Sequence, residues 1–170
     1  MGDIIFEENQ IKNVTVNQNI TRKEKNVALP SAKKVFIIYG CRNKNEILIS
    51  EIKGFLNKKG IDGCILDDDL RIGTTVIDAF EKTATDCQAA IVLLTPSENR
   101  YPRPNVMFEW GYFLGKYSNC EKRNIILIKK ANVEIPSDVN NMFFYSIKNS
   151  IEEIKNELSN ALNKIFFQND

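Results

Sequence analysis

From about residue 31 onward, the apolar residues of the chain follow two alternating patterns. Short continuous apolar runs, such as VFII at residues 35–38, alternate with stretches in which apolar residues recur every three or four positions. Runs of the first kind are typical of strands buried on both faces, and stretches of the second kind are typical of amphipathic helices. The alternation therefore predicts repeated β-α units, with a parallel sheet covered by helices on both faces.

Five apolar runs have the composition expected of strands. They lie at residues 35–39, 64–66, 89–94, 124–128 and 142–146. Four helices are predicted from apolar stripes, and the third of them covers residues 105–117. The starts of the other three are assigned from capping residues, which are Asn43 with Glu46, Thr75, and Ser150 with Glu153.

The order of these elements predicts an α/β fold with a flavodoxin-like, doubly wound, five-stranded parallel sheet. In such a sheet a ligand binds beyond the carboxyl ends of the first and third strands. Two loops meet this condition, one at residues 40–42 and the other at residues 95–98. Neither loop carries a glycine-rich phosphate motif, which argues against a dinucleotide-binding Rossmann domain or a P-loop enzyme.

The N-terminal part of the chain lacks this periodicity. Its segment IKNVTVNQNI alternates only weakly between apolar and polar residues, and is interpreted either as an edge or partner-binding strand or as part of a flexible arm. We therefore divide the chain into an N-terminal arm, residues 1–30, and one domain, residues 31–170.

Composition excludes several classes of function. Lys and Arg number 23 against 22 Asp and Glu, so a net charge of +1 gives no electrostatic case for a nucleic-acid or membrane partner. The absence of histidine excludes a histidine base, the serine and cysteine triads that need one, and most catalytic zinc sites. The four cysteines form no C-x-x-C pair, and no signal peptide or spanning segment is apparent, which predicts a cytoplasmic protein with free thiols.

The third predicted helix carries one acidic residue, Glu109, among large apolar side chains. At helical spacing it lies beside the apolar stripe of Val106, Trp110, Phe113 and Leu114, at the margin of the core. Pattern alone favours a solvated Glu109 that pairs weakly with its neighbours. By the same reasoning Asp67, Asp68 and Asp69 form a solvated loop rather than a metal site, and Ser97 caps a helix rather than acting as a nucleophile.

The stretch RPNVMFEWGYFLGK, from Arg103 to Lys116, resembles the R-x-N-V-x-F-E-L-G-x-F-x-G-K/R signature of bacterial TIR-like domains. These are predicted nucleotide-binding domains of the type found in cyclic-nucleotide-activated antiphage effectors. Four further segments agree with the family in order, at residues 35–40, 73–81, 90–96 and 134–138. Two positions differ, because Trp110 replaces the usual Leu and Tyr39 stands where the first strand often ends in His or Ser.

The resemblance implies a function as well as the flavodoxin-like fold. The family includes NAD⁺ glycohydrolases, in which the Glu that matches Glu109 is catalytic. This chemistry is compatible with a chain that lacks histidine, because nicotinamide leaves as a neutral molecule from a cationic pyridinium and needs no general acid. One ionised carboxylate that faces the developing oxocarbenium ion suffices. Substrate-binding roles are assigned to the two strand-end loops and to the aromatic neighbours of Glu109, namely Gly40, Cys41, Arg42, Thr95, Ser97, Trp110 and Tyr112. Core packing remains the alternative for both aromatic side chains and is favoured for Trp110, and a surface position is the alternative for Arg42.

The sequence thus predicts a TIR-like NAD⁺ glycohydrolase of antiphage defence, with NAD⁺ as substrate and no cofactor or metal. Whether the product is linear or cyclised ADP-ribose stays open. The alternative is a non-catalytic TIR-like module that binds a nucleotide or assembles with a partner. The resemblance also implies activation by self-association, with residues 67–74 of one protomer completing the site of its neighbour, and a sensor on a separate chain or in a missing part of the protein.

Overall fold

A computed structural model describes residues 32–66, 75–120 and 123–167. Its strands are β1 (Lys34–Ile38), β2 (Asp62–Cys64), β3 (Ala89–Leu94), β4 (Ile125–Lys130) and β5 (Tyr145–Ile147). Its α-helices are α1 (Arg42–Asn57), α2 (Val76–Thr85), α3 (Pro104–Lys116) and α4 (Lys155–Phe166). Short 3₁₀ turns cover Ser137–Val139 and Ile151–Ile154. The predicted arm, the acidic loop at residues 67–74 and the aspartates at positions 67, 68 and 69 lie outside the described residues.

The five strands form one parallel sheet in the order β2-β1-β3-β4-β5. This order confirms the predicted flavodoxin-like fold. The register pairs Ile38 of β1 with Val92 of β3, so the loops that follow these two strands leave the same edge of the sheet. The edge between β1 and β3 is the position at which this topology binds ligands.

Each face of the sheet is covered by a pair of helices, as predicted. One core cluster joins Val35 and Ile37 of β1 to the apolar stripes of α1 and α4. The other joins Phe36 and Ile38 of β1 to α2 and α3. All six residues of β3 are buried, which explains why its sequence is a continuous apolar run without alternation. In the described part of the chain, no helix has the length and apolar character needed to cross a membrane.

The position of β2 differs from the prediction by two residues. The strand begins at Asp62, whose amide donates to the carbonyl of Lys33 at 2.8 Å, and ends at Cys64. Asp and Gly are poor strand formers, so the pattern placed the start at Cys64, after them. Gly63 is required by packing, because a Cβ at this position would lie 3.1 Å from Cδ1 of Ile37 and 3.1 Å from Cδ1 of Leu56.

Two of the three predicted helix starts are confirmed. Thr75 and Asp78 form a capping box at the start of α2, and Ser150 and Glu153 form one before the 3₁₀ turn that leads into α4. The assignment of Asn43 as a cap is wrong, because α1 begins at Arg42 and its N-cap is Cys41, without a side-chain cap.

Candidate functional site

A cleft of about 320 Å³ opens at the predicted edge of the sheet, where β1 ends and α1 and α3 begin. Gly40, Cys41 and Arg42 line it on one side, and Glu109 lines it on the other. We call this the Glu109 cleft. It brings together four of the residues predicted for the site, which come from a strand-end loop, the start of α1 and the second turn of α3.

The packing of α3 places Glu109 in this cleft. Val106, Trp110 and Phe113 are buried against the sheet, so the face of α3 that carries them is fixed. Glu109 lies about 100° around the helix from Trp110, and this rotation brings it to the boundary between core and cleft. The helix starts at Pro104, whose ring suits the first helical position and removes a backbone donor there.

Close contact between the first and third strand-end loops forms the wall of the cleft. A Cβ at Gly40 would lie 3.4 Å from Cδ of Arg103, so the aliphatic part of that arginine packs over the glycine backbone. At this distance a Cβ would make ordinary van der Waals contact with Arg103, whose side chain thus borders the site.

Glu109 is partly buried, and within the described ranges its carboxyl makes no hydrogen bond or ion pair. Burial without compensation disfavours the charged form and raises the pKa of Glu109 to about 7. A carboxyl that titrates near neutral pH in a cleft is a candidate for chemistry, because catalytic sites are where such shifts are concentrated. The solvated Glu109 that pattern alone favoured is thus not what the structure shows.

A second and larger cleft, of about 700 Å³, shares Cys41 and Arg103 with the first. Thr95 and Ser97, both predicted for the site, line this second cleft and not the Glu109 cleft. Lys44, Arg103 and Lys130 also line it, and we therefore call it the basic cleft. The predicted site residues are thus divided between two clefts that meet at Cys41 and Arg103.

The interpretation of Ser97 as a helix cap is wrong. Its hydroxyl donates to the carbonyl of Tyr101 at 2.7 Å, and its amide donates to the same carbonyl at 2.9 Å. These bonds close a turn over residues 97–101, several positions before α3 begins. Arg100 in this turn has φ of 68°, a left-handed conformation that apolar periodicity cannot reveal.

The structure places the two aromatic neighbours of Glu109 outside its cleft. Trp110 is only 1% exposed, packs edge-on against Phe144 and has an indole N–H without a partner among the described residues. The ring of Tyr112 packs edge-on against Phe80, with 4.9 Å between the ring centroids. Trp110 belongs to the core under α2 and α3, and Tyr112 packs, partly buried, against that core, so neither side chain lines the Glu109 cleft.

Several lining residues were not singled out from the sequence. Arg103 and Asn105 line the Glu109 cleft, and Lys44, Lys130 and Asn132 line the basic cleft. Arg103 and Asn105 are part of the signature quoted above, so the motif itself could have pointed to them. Lys130 ends β4, and the rule that ligands bind at carboxyl ends of strands would have found it only with the strand order in hand.

Comparison with known proteins agrees with the fold and the motif. Residues 34–149 match the family model described as "CAP12/Pycsar effector protein, TIR domain". Protein tirC of Dictyostelium discoideum is 29% identical over 146 residues, with 74% of this chain and 70% of that protein covered. Uncharacterized protein YuaY of Escherichia coli strain K12 is 32% identical over 120 residues, which are 65% of this chain but only 38% of that protein.

The TIR domain of the Toll-related receptor TRR-2 of Hydra magnipapillata superposes on the chain with a TM-score of 0.59 at 17% identity, and 77% of this chain and 96% of that domain are covered. At this identity the superposition supports the fold alone. The family model spans most of the described domain, including the third helix with Glu109. The chain therefore belongs to the family of CAP12/Pycsar effector TIR domains.

Proposed function

We propose that this TIR domain is an NAD⁺ glycohydrolase, which releases nicotinamide from NAD⁺ and uses Glu109 as its catalytic carboxylate. The observation that carries the proposal is the state of Glu109, a partly buried carboxyl with a raised pKa and no partner among the described residues. The ionised form of such a carboxyl destabilises the folded protein, and a catalytic role explains why the carboxyl is there. Glu109 also lies at the edge of the sheet where β1 and β3 end, and this is where the fold binds ligands.

The reaction needs little from the protein besides a negative charge in the right place. Departure of neutral nicotinamide leaves positive charge on the ribose, and a carboxylate next to that ribose stabilises the charge as it develops. In a partly desolvated cleft the interaction is stronger than it would be in water. Glu109 accepts hydrogen bonds from the ribose hydroxyls and so fixes the position of the sugar.

The residues around Glu109 suit a substrate of this kind. Arg42, at the start of α1, and Arg103, at the start of α3, line the same cleft and supply positive charge there. Asn105 adds a side-chain amide that can bind a hydroxyl or a carboxamide. Trp110 and Tyr112 have no part in this site, because Trp110 is buried in the core and Tyr112 packs against that core.

The decisive experiment compares nicotinamide release by the wild type and by Glu109→Gln at about pH 8, where the carboxylate is ionised. Glutamine keeps the volume and the hydrogen-bonding capacity but removes the charge. We expect release to fall by about 10²–10³-fold, which is the usual effect of removing one preorganised stabilising group. Glu81→Gln is the matched control, since Glu81 is exposed on α2 and lies outside both clefts.

Equal release by the wild type and Glu109→Gln would refute the catalytic role. Absence of release from the wild type, even at high protein concentration, would favour the alternative of a non-catalytic nucleotide-binding or assembly module. Analysis of the products in the same assay distinguishes linear from cyclised ADP-ribose. Self-association, the role of residues 67–74 in a neighbour's site and a sensor on another chain remain predictions from the family resemblance.

A further inference from the structure

Three cationic side chains converge on the basic cleft from three different elements. Lys44 lies in the first turn of α1, Arg103 is the N-cap of α3, and Lys130 is the last residue of β4. Glu98 is the one acidic residue among those that line this cleft in the described part of the chain. The cleft therefore carries an excess of positive charge, although the protein as a whole is almost neutral.

Described acidic side chains do not pair with these cations. Within the described ranges, none of the three takes part in an ion pair or a side-chain hydrogen bond. Arg100, in the neighbouring turn, provides a contrast, because it pairs with Glu134 at 3.0 Å. Unpaired cations in a concave site attract and hold an anion better than cations on a flat, solvated surface.

The backbone of α1 adds donors to the same place. Its N-cap residue, Cys41, lines the basic cleft, and its side chain makes no capping hydrogen bond to the helix. The side-chain amide of Asn45 donates to the carbonyl of Cys41 at 2.7 Å and so fixes the first turn of α1. Free N–H groups at the start of a helix favour anions, and the three cations reinforce this preference.

The basic cleft and the Glu109 cleft can hold two parts of one ligand, because Cys41 and Arg103 line both. We propose that the basic cleft binds the diphosphate of a dinucleotide, through Lys44, Arg103 and Lys130, while the Glu109 cleft holds the ribose whose glycosidic bond breaks. The inference rests on the proposed function, since NAD⁺ consists of a nicotinamide riboside joined through a diphosphate to adenosine. It assigns an anion-binding role to Lys44 and Lys130, which lie outside the motif around Glu109, and to Arg103, which begins it.

The first test measures binding of ADP by calorimetry, because ADP carries the diphosphate but has no nicotinamide bond to break. The double variant Lys44→Gln/Lys130→Gln removes two of the cations and spares Arg103, which also borders the Glu109 cleft. We expect binding to weaken by about tenfold for each cation removed, and the affinity of the wild type to fall with added salt. Lys129→Gln is the matched control, because Lys129 is adjacent on β4 but lies over the ring of Phe144, outside the cleft.

Two outcomes would overturn the inference. One is the failure of the wild type to bind ADP at millimolar concentration, and the other is equal binding of ADP by the wild type and the double variant. These outcomes are separate from failure of the proposed function, because ADP binding does not require Glu109.

A second test uses catalysis. With NAD⁺ as substrate, the double variant is expected to raise KM, whereas kcat/KM for nicotinamide riboside is expected to stay at the wild-type value. The riboside contains the same glycosidic bond but no diphosphate, so it makes no use of the basic cleft. An equal loss of activity toward both substrates would show that the lysines act on the fold or on Glu109 instead, and would contradict the inference.

Discussion

The carboxyl group of Glu109 lies in a place where its charge is costly. The unperturbed value for this group is 4.5, and burial raises the pKa to about 7 in the folded protein. The folded state therefore binds the proton more tightly than the unfolded chain does. Between these two values the free energy of unfolding falls as the pH rises, because the folded protein must give up a proton that it holds more strongly.

This linkage predicts that Glu109→Gln stabilises the protein in a pH-dependent way. The melting temperature of the variant should exceed that of the wild type at about pH 8, and the excess should shrink toward about pH 5, where Glu109 is protonated in the folded state. Thermal melts of both proteins across this range are the measurement. Glu81→Gln, which changes an exposed group, should show no such trend, and a pH-independent difference for Glu109→Gln would contradict the buried, unpaired carboxyl.

Residue positions in this site could be predicted from the sequence to different degrees. Helical periodicity placed Glu109 at the core margin, and the structure finds it there. Periodicity did not reveal the raised pKa, because the pKa depends on burial in a cleft that is closed on its other side by the loop of Gly40, which is distant in sequence. Trp110 was assigned to the site by its adjacency to Glu109, yet one residue along a helix is a rotation of about 100°, which turns it into the core.

Among the glycines that the structure describes, Gly63 in β2 has the tightest surroundings. Gly63 is buried, and a methyl group there would press on the ends of Ile37 and Leu56, both of which are enclosed in the core. Gly54 offers the opposite situation, since it lies exposed inside α1 with nothing within 4 Å of its missing Cβ.

We therefore predict opposite effects for the same substitution at the two glycines. Gly63→Ala should lower the free energy of unfolding by about 1–3 kcal/mol, through overpacking of the core. Gly54→Ala should raise it by about 0.5–1 kcal/mol, because alanine restricts the unfolded chain and favours a helix. Denaturant melts measure both values. A neutral result for Gly63→Ala would show that the core under β2 yields more readily than its packing indicates.

The capping signals show why the starts of elements are only partly predictable. The boxes at Thr75 and Ser150 follow a break in the apolar pattern, and there the capping residue decides where the helix begins. Asn43 and Glu46 have the same spacing, but α1 already begins at Arg42, directly after the loop of β1. Spacing of this kind also occurs inside helices, so it identifies a start only when the preceding backbone is extended.

At the scale of the whole molecule, the described ranges contain a complete five-stranded sheet with helices on both faces. Alternating patterns could predict this architecture, because each type of element buries its own periodic face. They could not predict the division of the site into two clefts. That division depends on the turn at residues 97–101, whose conformation is set by local hydrogen bonds and by the left-handed Arg100.

The completeness of the sheet leads to a prediction for the N-terminal arm. Removal of residues 1–30 should leave the domain folded, with a change in melting temperature of less than about 4 °C, equivalent to roughly 1 kcal/mol for a domain of this size. The measurement compares melting curves of the full chain and of the shortened chain. A much larger decrease would identify the arm as an integral part of the fold, as the alternative of an edge strand requires.

The position of Arg103 and Glu109 on one helix has a consequence for selectivity. Arg103 caps α3 and Glu109 lies six residues further along it, so a rise of 1.5 Å per residue separates them by about 9 Å along the axis. In the proposed binding mode the diphosphate lies near Arg103 and the reacting bond near Glu109, so α3 sets the spacing between them. We therefore expect the protein to select a substrate by the distance between its phosphates and its scissile bond as well as by chemistry.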